Sequence, residues 1–565
     1  GTIVALGFPT AADWKQRGAS SGTRRPSPVM ARNGIVASAH PLISATGLEV
    51  LQQGGNAVDA AVAASLVGGV VLPAMCGLGG DLFAVVHGRG RAGKTETLAF
   101  QGSGVGPGNA TVEEMRARGD RGGAIMAQFG PLSPSVPGYV DGCFALLDRF
   151  GSRSFAELAQ PAIRYASEGV ALSPLVTRWI TETADRLREQ PTTAAVYLPG
   201  DQVPTVGTLL RQPDLARSLQ SIAEGGRDVF HTGELAERIC AALADQGGLL
   251  SMDDFAGHAT DVSAPLATTY RDHVIFETTL PTQGFVVNET LNIAEHADLA
   301  GMGVSSAEAV HLLAESLGRA FADRNAYAGD PRCVDVPLDM LLSKQWAAAR
   351  WATIDPTAAA TDVAPGRLAP GDTTFLCVVD RDGMMISLIF SLSEWFGSRV
   401  VAGDTGILLN NRAGHCFTLA DGHPNQFAPH KRPMHTLNCW LIAGPDGTPL
   451  VAGGTPGGDF QPQWNVQTIT GLIDAGLDAQ RAVEQPRWQI WPATYPADLG
   501  NPLELRVEDR LGEAAIAELE RMGHRIVRAG DWGGGGSAQV IARDPATGVL
   551  AGGSDPRSEG LAIGY

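Results

Sequence analysis

The chain has 565 residues, enough for a large core and on length alone roughly three or four domains, and its 70 Gly and 35 Pro beside 44% apolar residues describe a globular protein rich in tight turns, not a disordered one. Its formal charge of -18 repels phosphate backbones and anionic lipid, so nucleic acid and membrane surfaces are excluded as expected partners. The seven cysteines (Cys76, Cys143, Cys240, Cys333, Cys377, Cys416 and Cys439) form no CxxC pair and are odd in number, which predicts free, mostly buried thiols in a reducing compartment.

Residues 1–33 are Gly-, Ser- and Arg-rich with little apolar periodicity and read as a loose N-terminal arm. No charged region followed by an apolar run and a small-residue cleavage site opens the chain, so a cytoplasmic location is expected, a previously removed signal peptide aside. Ile35 to Ser38 reads as a short strand, His40-Pro41 opens a helix to about Gln53, and Gly54-Gly55-Asn56 caps it. Ala57 to about Val67 is a helix apolar on nearly every side, hence buried between layers. The uncharged stretch Ala60 to Gly80 approaches the length of a membrane span, but Gly68-Gly69 and Pro73 favour a buried helix running into a Gly-rich turn. That turn, Cys76 to Asp81, lacks the Lys-Ser/Thr of a phosphate loop, and a strand follows from Leu82 to His87.

From about Gly138 to Ala328 the periodicity is helical, interrupted by a β-type insertion near His273 to Thr279 and closed by a long helix from about Ser306 to Ala326. Ala352 to Pro370 reads as an exposed, flexible linker. Phe375 to Val379 and Met384 to Phe390 flank Asp380-Arg381-Asp382-Gly383 and predict a hairpin with Thr373 at its start. Were the bond between Asp372 and Thr373 cut, Thr373 would carry a hydroxyl and an α-amino base on one residue; from this stretch alone an ordinary buried hairpin is the favoured reading, since Thr-Thr before a strand is common. Further β pairs are expected at Cys439 to Ala443 with Pro449 to Ala452, and at Val540 to Ala542 with Val549 to Ala551. Between them lie two amphipathic helices, about Gln463 to Ala475 and Glu513 to Met522. Antiparallel pairs with helices on both flanks suggest a layered α-β-β-α sandwich.

Ten stretches in order, from GLEVLQQGGNAVDAAVAASL through GLGGDLFAVV, PSVPGYVDGCFALLDRFG, QPAIRYASEGV, AFADRNAYAGDP, DTTFLCVVDRDG, FGSRVV, GILLNN and KRPMHT to GGTPGGDFQPQ, resemble the gamma-glutamyltranspeptidase family of N-terminal nucleophile hydrolases. The resemblance runs from about Gly34 to Tyr565. It implies an α+β fold, a four-layer αββα sandwich, made as a zymogen that cuts itself between Asp372 and Thr373 into a large subunit (34–372, α-rich) and a small one (373–565) that remain together as a heterodimer. Thr373 would be the nucleophile, Ser391 its hydroxyl partner where the family has a second Thr, and Gly457-Gly458 the oxyanion hole, since backbone N–H groups serve only where no side chain blocks approach. Ser393 stands where transpeptidases carry an Asn that contacts substrate.

The departures bear on substrate. Where transpeptidases grip the α-carboxylate with an Arg, AFQGSG offers Gln101; after GILLNN, which ends at Asn411, the acidic residue for the α-amino group is replaced by Arg412-Ala413-Gly414-His415-Cys416; the Ser-Ser after KRP becomes His435-Thr436. Arg399, where the family usually has Gly, and Arg412 add positive charge near the hairpin, and a guanidinium can hold a carboxylate with two hydrogen bonds. His415, His423, His430 and His435 match no ligand spacing, so no metal or cofactor is expected. The reading is an autoprocessed acylase or amidohydrolase acting on a small acyl amide, whose other partners are its own two subunits. Alternatives are a carbon–carbon bond hydrolase of an oxo acid in a secondary-metabolite pathway, a true gamma-glutamyl transferase or hydrolase, and a non-catalytic binding protein of the same fold.

Overall fold

Apolar residues fill both alternating sets along the hairpin strands Asp372–Asp380 and Met385–Ser393, so a sheet built on them must be covered on both faces. The computed structural model, which describes residues 5–9, 24–25, 27–361, 372–492, 496 and 501–565, has that arrangement. The hairpin is central in a seven-stranded sheet whose order is Leu561–Gly564, Gly34–Ser38, Asp372–Asp380, Met385–Ser393, Asp81–Arg89, Thr95–Gly102 and Asp261–Ser263. Phe375, Cys377, Val379, Met385 and Ile389 point from it into the gap between sheets, where they meet Cys439, Leu441, Ala452 and Ile541. Leu376, Val378, Ile386, Leu388 and Phe390 point the other way, onto the helices Pro41–Gln52, Ala57–Val71 and Tyr139–Phe150.

The facing sheet has the order Val29–Ala31, Leu550–Ser554, Gln539–Arg543, Pro449–Gly454, Cys439–Ala443, His273–Glu277 and Leu266–Tyr270. Its outer residues, among them Ile275, Trp440, Ile442 and Val540, share a core with the helices Gly284–Ala294, Ala307–Tyr327 and Phe460–Ile473. The result is an αββα sandwich, as expected. Both sheets draw strands from before and after Thr373.

Several local expectations change. Val29–Ala31, within the stretch read as a loose arm, is an edge strand paired with Leu550 to Gly552. The β-type stretch expected near His273 to Thr279 is the strand His273–Glu277, which does interrupt the helical block but is tied outside it, pairing with Cys439–Ala443 in the second sheet. The helix Phe460–Ile473 is not amphipathic: every residue from Phe460 to Leu472 is buried. Its glutamines bond inward, Gln463 to Ile490 and Gln467 to Trp488. The largely apolar helix Ala57–Val71 lies inside the molecule, and among the described residues no helix is long and apolar enough to cross a membrane. Of the expected linker, residues 362–370 lie outside the described residues.

The two sheets are in close contact where strand Pro449–Gly454 ends. A methyl group at Gly454 would stand 2.6 Å from the Phe375 ring of the facing sheet, and one at Gly453, on the other face, 2.3 Å from Trp440 of the neighbouring strand. Gly454→Ala is therefore expected to lower unfolding free energy by about 1–3 kcal/mol, the usual cost of overpacking a dense core. Urea unfolding checks this, and an unchanged midpoint would mean that Phe375 can yield.

Candidate active site

Thr373 sits where the hairpin register slips. Asp372 is opposite Ser393 but Thr374 is opposite Phe390, so Ser391 and Leu392 together face Thr373 alone. Leu392 leaves the ladder because its N–H donates to the Met75 carbonyl (2.9 Å) and its carbonyl accepts the Asn411 N–H (3.1 Å). Such a bulge re-aims side chains. Here it puts Thr373 Oγ1 in hydrogen-bond contact with Ser391 Oγ at 3.0 Å, with both residues buried. Ser391 Oγ also accepts the Ser393 N–H at 2.8 Å. Ser393 holds φ at +88°, a conformation that L residues adopt at a cost and that clusters at functional sites.

Beyond the bulge runs a polar chain. Ser393 Oγ lies 2.9 Å from His415 Nδ1, and His415 Nε2 lies 3.1 Å from Glu394 Oε1. Asn411 accepts the Glu394 N–H through its side-chain oxygen and donates to the Gln128 carbonyl, which fixes the entry to the short helix Arg412–Cys416. Burial, with Arg412 beside it, holds the His415 imidazole well below its usual range, so the ring is neutral.

Arg412 is fully buried. Its Nη1 donates to Thr436 Oγ1 (3.0 Å) and approaches Cys416 Sγ (3.6 Å), and its Nε stands 3.4 Å from Asp81 Oδ2. The same carboxylate oxygen takes His435 Nε2 at 2.8 Å. Asp81, Arg412, His435 and Thr436 thus form one cluster. Arg399 instead stacks over the Phe129 ring, 3.3 Å from its centroid, and burial lowers its guanidinium to about 10. Gln101 is buried in the strand Thr95–Gly102 and donates to Ser103 Oγ at 2.8 Å. His415, His423, His430 and His435 do not converge: His415 and His435 are buried in different contacts, while His430 is largely exposed.

Gly457 and Gly458 form the turn between strand Pro449–Gly454 and helix Phe460–Ile473, with φ of +134° and +56°. A side chain at Gly457 would meet the Trp464 ring at 2.4 Å. Among the described residues neither glycine N–H is donated to another group, whereas both carbonyls accept, from Phe460 and Gln461. Gln283 fastens this turn, donating to the Gly458 carbonyl (3.0 Å) and the Thr436 carbonyl (2.7 Å). Arg324 pairs with Asp459 and bonds Gln283. Burial raises the Asp459 carboxyl to about 6 although Arg324 opposes it. Sequence reasoning assigned no role to Asp81, Gln283, Arg324, Glu394 or Asp459. Three of these stood inside quoted motifs, Asp81 in GLGGD, Arg324 in AFADRNAYAGDP and Asp459 in GGTPGGD, so the signal was present without a partner to interpret it.

A model of the gamma-glutamyltranspeptidase family matches residues 43–565. The chain belongs to that family. It is a hydrolase-type enzyme, 37% identical over 532 residues to a glutathione hydrolase-like YwrD proenzyme of Bacillus subtilis, covering 94% of this chain and 98% of that protein. It is 33% identical over 548 residues to an oxamate amidohydrolase proenzyme of Klebsiella pneumoniae, covering 94% and 98%. Among solved structures, a cephalosporin acylase from Bacillus halodurans superposes with a TM-score of 0.87 at 32% identity, covering 97% of this chain and 98% of that one.

The cluster gives the family member a measurable pH response. Burial first, then Arg412, pushes His435 down to about 4, against about 6.5 for an unfolded histidine. Between those values the unfolded chain takes up a proton that the folded chain refuses, so stability present above about pH 6.5 is lost as pH falls toward 4, by on the order of 3 kcal/mol. Asp459, raised toward 6, contributes with opposite sign, its effect favouring the folded state on acidification. Unfolding free energies of the unaltered chain and His435→Gln, compared across this window, isolate the histidine; a pH-independent difference would mean His435 titrates normally.

Proposed function

We propose that the chain is a self-processing amidohydrolase or acylase whose nucleophile is Thr373. The observation that carries this is the bulge holding Thr373 Oγ1 against Ser391 Oγ at 3.0 Å, with no ladder partner directly opposite Thr373. In processing, Thr373 Oγ1 attacks the carbonyl of Asp372 and the C–N bond breaks as an ester forms. Water then hydrolyses the ester, leaving the Asp372 carboxylate and a free Thr373 amine. In turnover that amine takes the hydroxyl proton, Oγ1 attacks the substrate carbonyl, and the N–H groups of Gly457 and Gly458 receive the developing oxyanion. The leaving amine departs protonated and water releases the acid. Ser391 orients Oγ1, and the Gln283 bonds to Gly458 and Thr436 hold the oxyanion turn against the cluster around Arg412.

The acyl group we infer bears a carboxylate and needs no α-amino group, as in a dicarboxylic or oxo-acid monoamide. A zwitterionic glutamyl group needs a cation and an anion placed for it, and burying either charge unmatched costs several kcal/mol. Gln101 supplies no cation in the family's place, and the segment after Asn411 supplies Arg412 and His415 where an acid is usual. Arg412 shares Asp81 with His435, so an incoming carboxylate would join a cluster already partly neutralised. Ser393, Asn411, His435 and Thr436 complete the proposed substrate side. The relative named oxamate amidohydrolase supports the class, oxamate being such a monoamide.

Thr373→Ala is expected to abolish both cleavage and turnover, and Thr373→Ser to retain some of each, as read by denaturing gel, N-terminal sequencing and product mass. Ser391→Ala should cost roughly 1 kcal/mol, about fivefold in rate. Full activity in Thr373→Ala, or in a preparation that stays one intact chain, would remove the mechanism. Steady-state kinetics should favour des-amino monoamides over glutathione or a gamma-glutamyl anilide, and a clear preference for the gamma-glutamyl compounds would overturn the substrate assignment while leaving the nucleophile standing.

A further inference from the structure

The long helix Ala307–Tyr327 presents His311 and Glu315 one turn apart on one face, and the turn after helix Glu513–Arg521 brings His524 against them. One nitrogen or oxygen from each lies within 4.8 Å of the other two. His311 Nε2 is 2.8 Å from the Asp355 carbonyl, which can only accept, so this contact selects the tautomer with its proton on Nε2. That leaves a lone pair on Nδ1, which faces His524 Nε2 at 2.8 Å. A backbone carbonyl on the far ring nitrogen is the usual device that fixes a metal-binding histidine. Glu315 Oε2 takes Arg319 Nη1 at 2.8 Å, whereas Oε1 has the longer contact, 3.2 Å from the Ala360 N–H. A cavity of about 200 Å³, lined among others by Glu315, Glu504, Arg525 and His524, opens beside the group.

We propose that His311 Nδ1, His524 Nε2 and Glu315 Oε1 bind one divalent transition-metal ion of the zinc class, with water from the cavity as fourth ligand. Two imidazoles and a carboxylate suit such an ion better than magnesium or calcium, which prefer oxygen. Tetrahedral bonds of about 2.0–2.1 Å to nitrogen need the two ring nitrogens about 3.3 Å apart, a small opening from the present contact. Glu315 Oε1 exchanges its weak amide contact for the ion, and Oε2 keeps Arg319. The ion has a structural part, not a catalytic one: His311 and Glu315 precede Thr373 and His524 follows it, so one ion joins the two portions of chain on either side of the proposed cut. The site stands on its own geometry and does not depend on the role of Thr373.

The test uses the full chain, stripped with EDTA, incubated with zinc sulfate, desalted and analysed for metal by mass spectrometry, with cobalt(II) as a spectroscopic probe. One zinc per chain is expected, with visible bands of four-coordinate cobalt that zinc abolishes. His524→Ala, at a half-buried position, should bind at least about tenfold more weakly, and Cys333→Ser, which removes the exposed thiol, should bind unchanged. The cobalt spectrum of the unaltered chain needs no variant. Zinc at the level of a blank, a purely octahedral cobalt spectrum, or undiminished zinc in His524→Ala would leave a plain histidine–histidine hydrogen bond and overturn the assignment.

Discussion

The geometry around Thr373 depends on two backbone hydrogen bonds made by a residue with no chemistry of its own. Leu392 gives its N–H to Met75 and its carbonyl to Asn411, and so is pulled out of a ladder that is otherwise regular from Thr374 to Val379. Buried backbone groups must be paired, so Leu392 can leave the ladder only because the turn before Gly77 and the strand-like segment ending at Asn411 are in place to receive it. The positive φ of Ser393, the turn of Ser391 toward Thr373 and the contact of Ser393 with His415 all follow from that one displacement. The hydroxyl pair is thereby tied to segments outside the hairpin, at Met75 and Asn411.

The second constraint is charge without water. Asp81, Arg412, Arg324 and Asp459 are all buried, each has an opposite charge beside it, and Asp81 takes a further hydrogen-bonding contact from the His435 ring. Removing one partner from such a set costs far more than the pair contributes, because the survivor remains desolvated. A substrate bound at the proposed site would enter a field that the protein has already nearly balanced. Discrimination between acyl groups would then rest on small differences in how a carboxylate or an ammonium disturbs that balance.

Much of the architecture was legible because its signals are local. Continuous apolar runs along Phe375 to Val379 and Met384 to Phe390, with Asp-Arg-Asp-Gly between, encode the hairpin in a single stretch, and the nearly all-apolar pattern of Ala57 to Val67 encodes a helix with no solvent side. The misreadings share a cause. Gln463, Asn465 and Gln467 look like a wet helix face, yet they bond to Ile490, Asn438 and Trp488 in other elements, and nothing local distinguishes an amide aimed at water from one aimed at buried backbone. Val29–Ala31 is too short to show a period, and its partner lies at Leu550 to Gly552. At the site, residue types at Thr373, Ser391 and Gly457-Gly458 stood out through family likeness. Asp81, Gln283 and Glu394 did not, since their meaning lies in contacts across the chain.

The interleaving of the two sheets has a consequence for refolding. Strand Asp372–Asp380 lies between Gly34–Ser38 and Met385–Ser393, and Cys439–Ala443 lies between Pro449–Gly454 and His273–Glu277, so neither side of Thr373 owns a sheet. As one chain, the protein folds with every strand at a fixed effective concentration set by its own loops. Once severed before Thr373, the same strands belong to two molecules, and recovery from the unfolded state becomes a second-order encounter whose yield depends on dilution. The cut would leave the native contacts almost untouched and yet make the folded state a historical product, reached through the precursor and hard to regain without it.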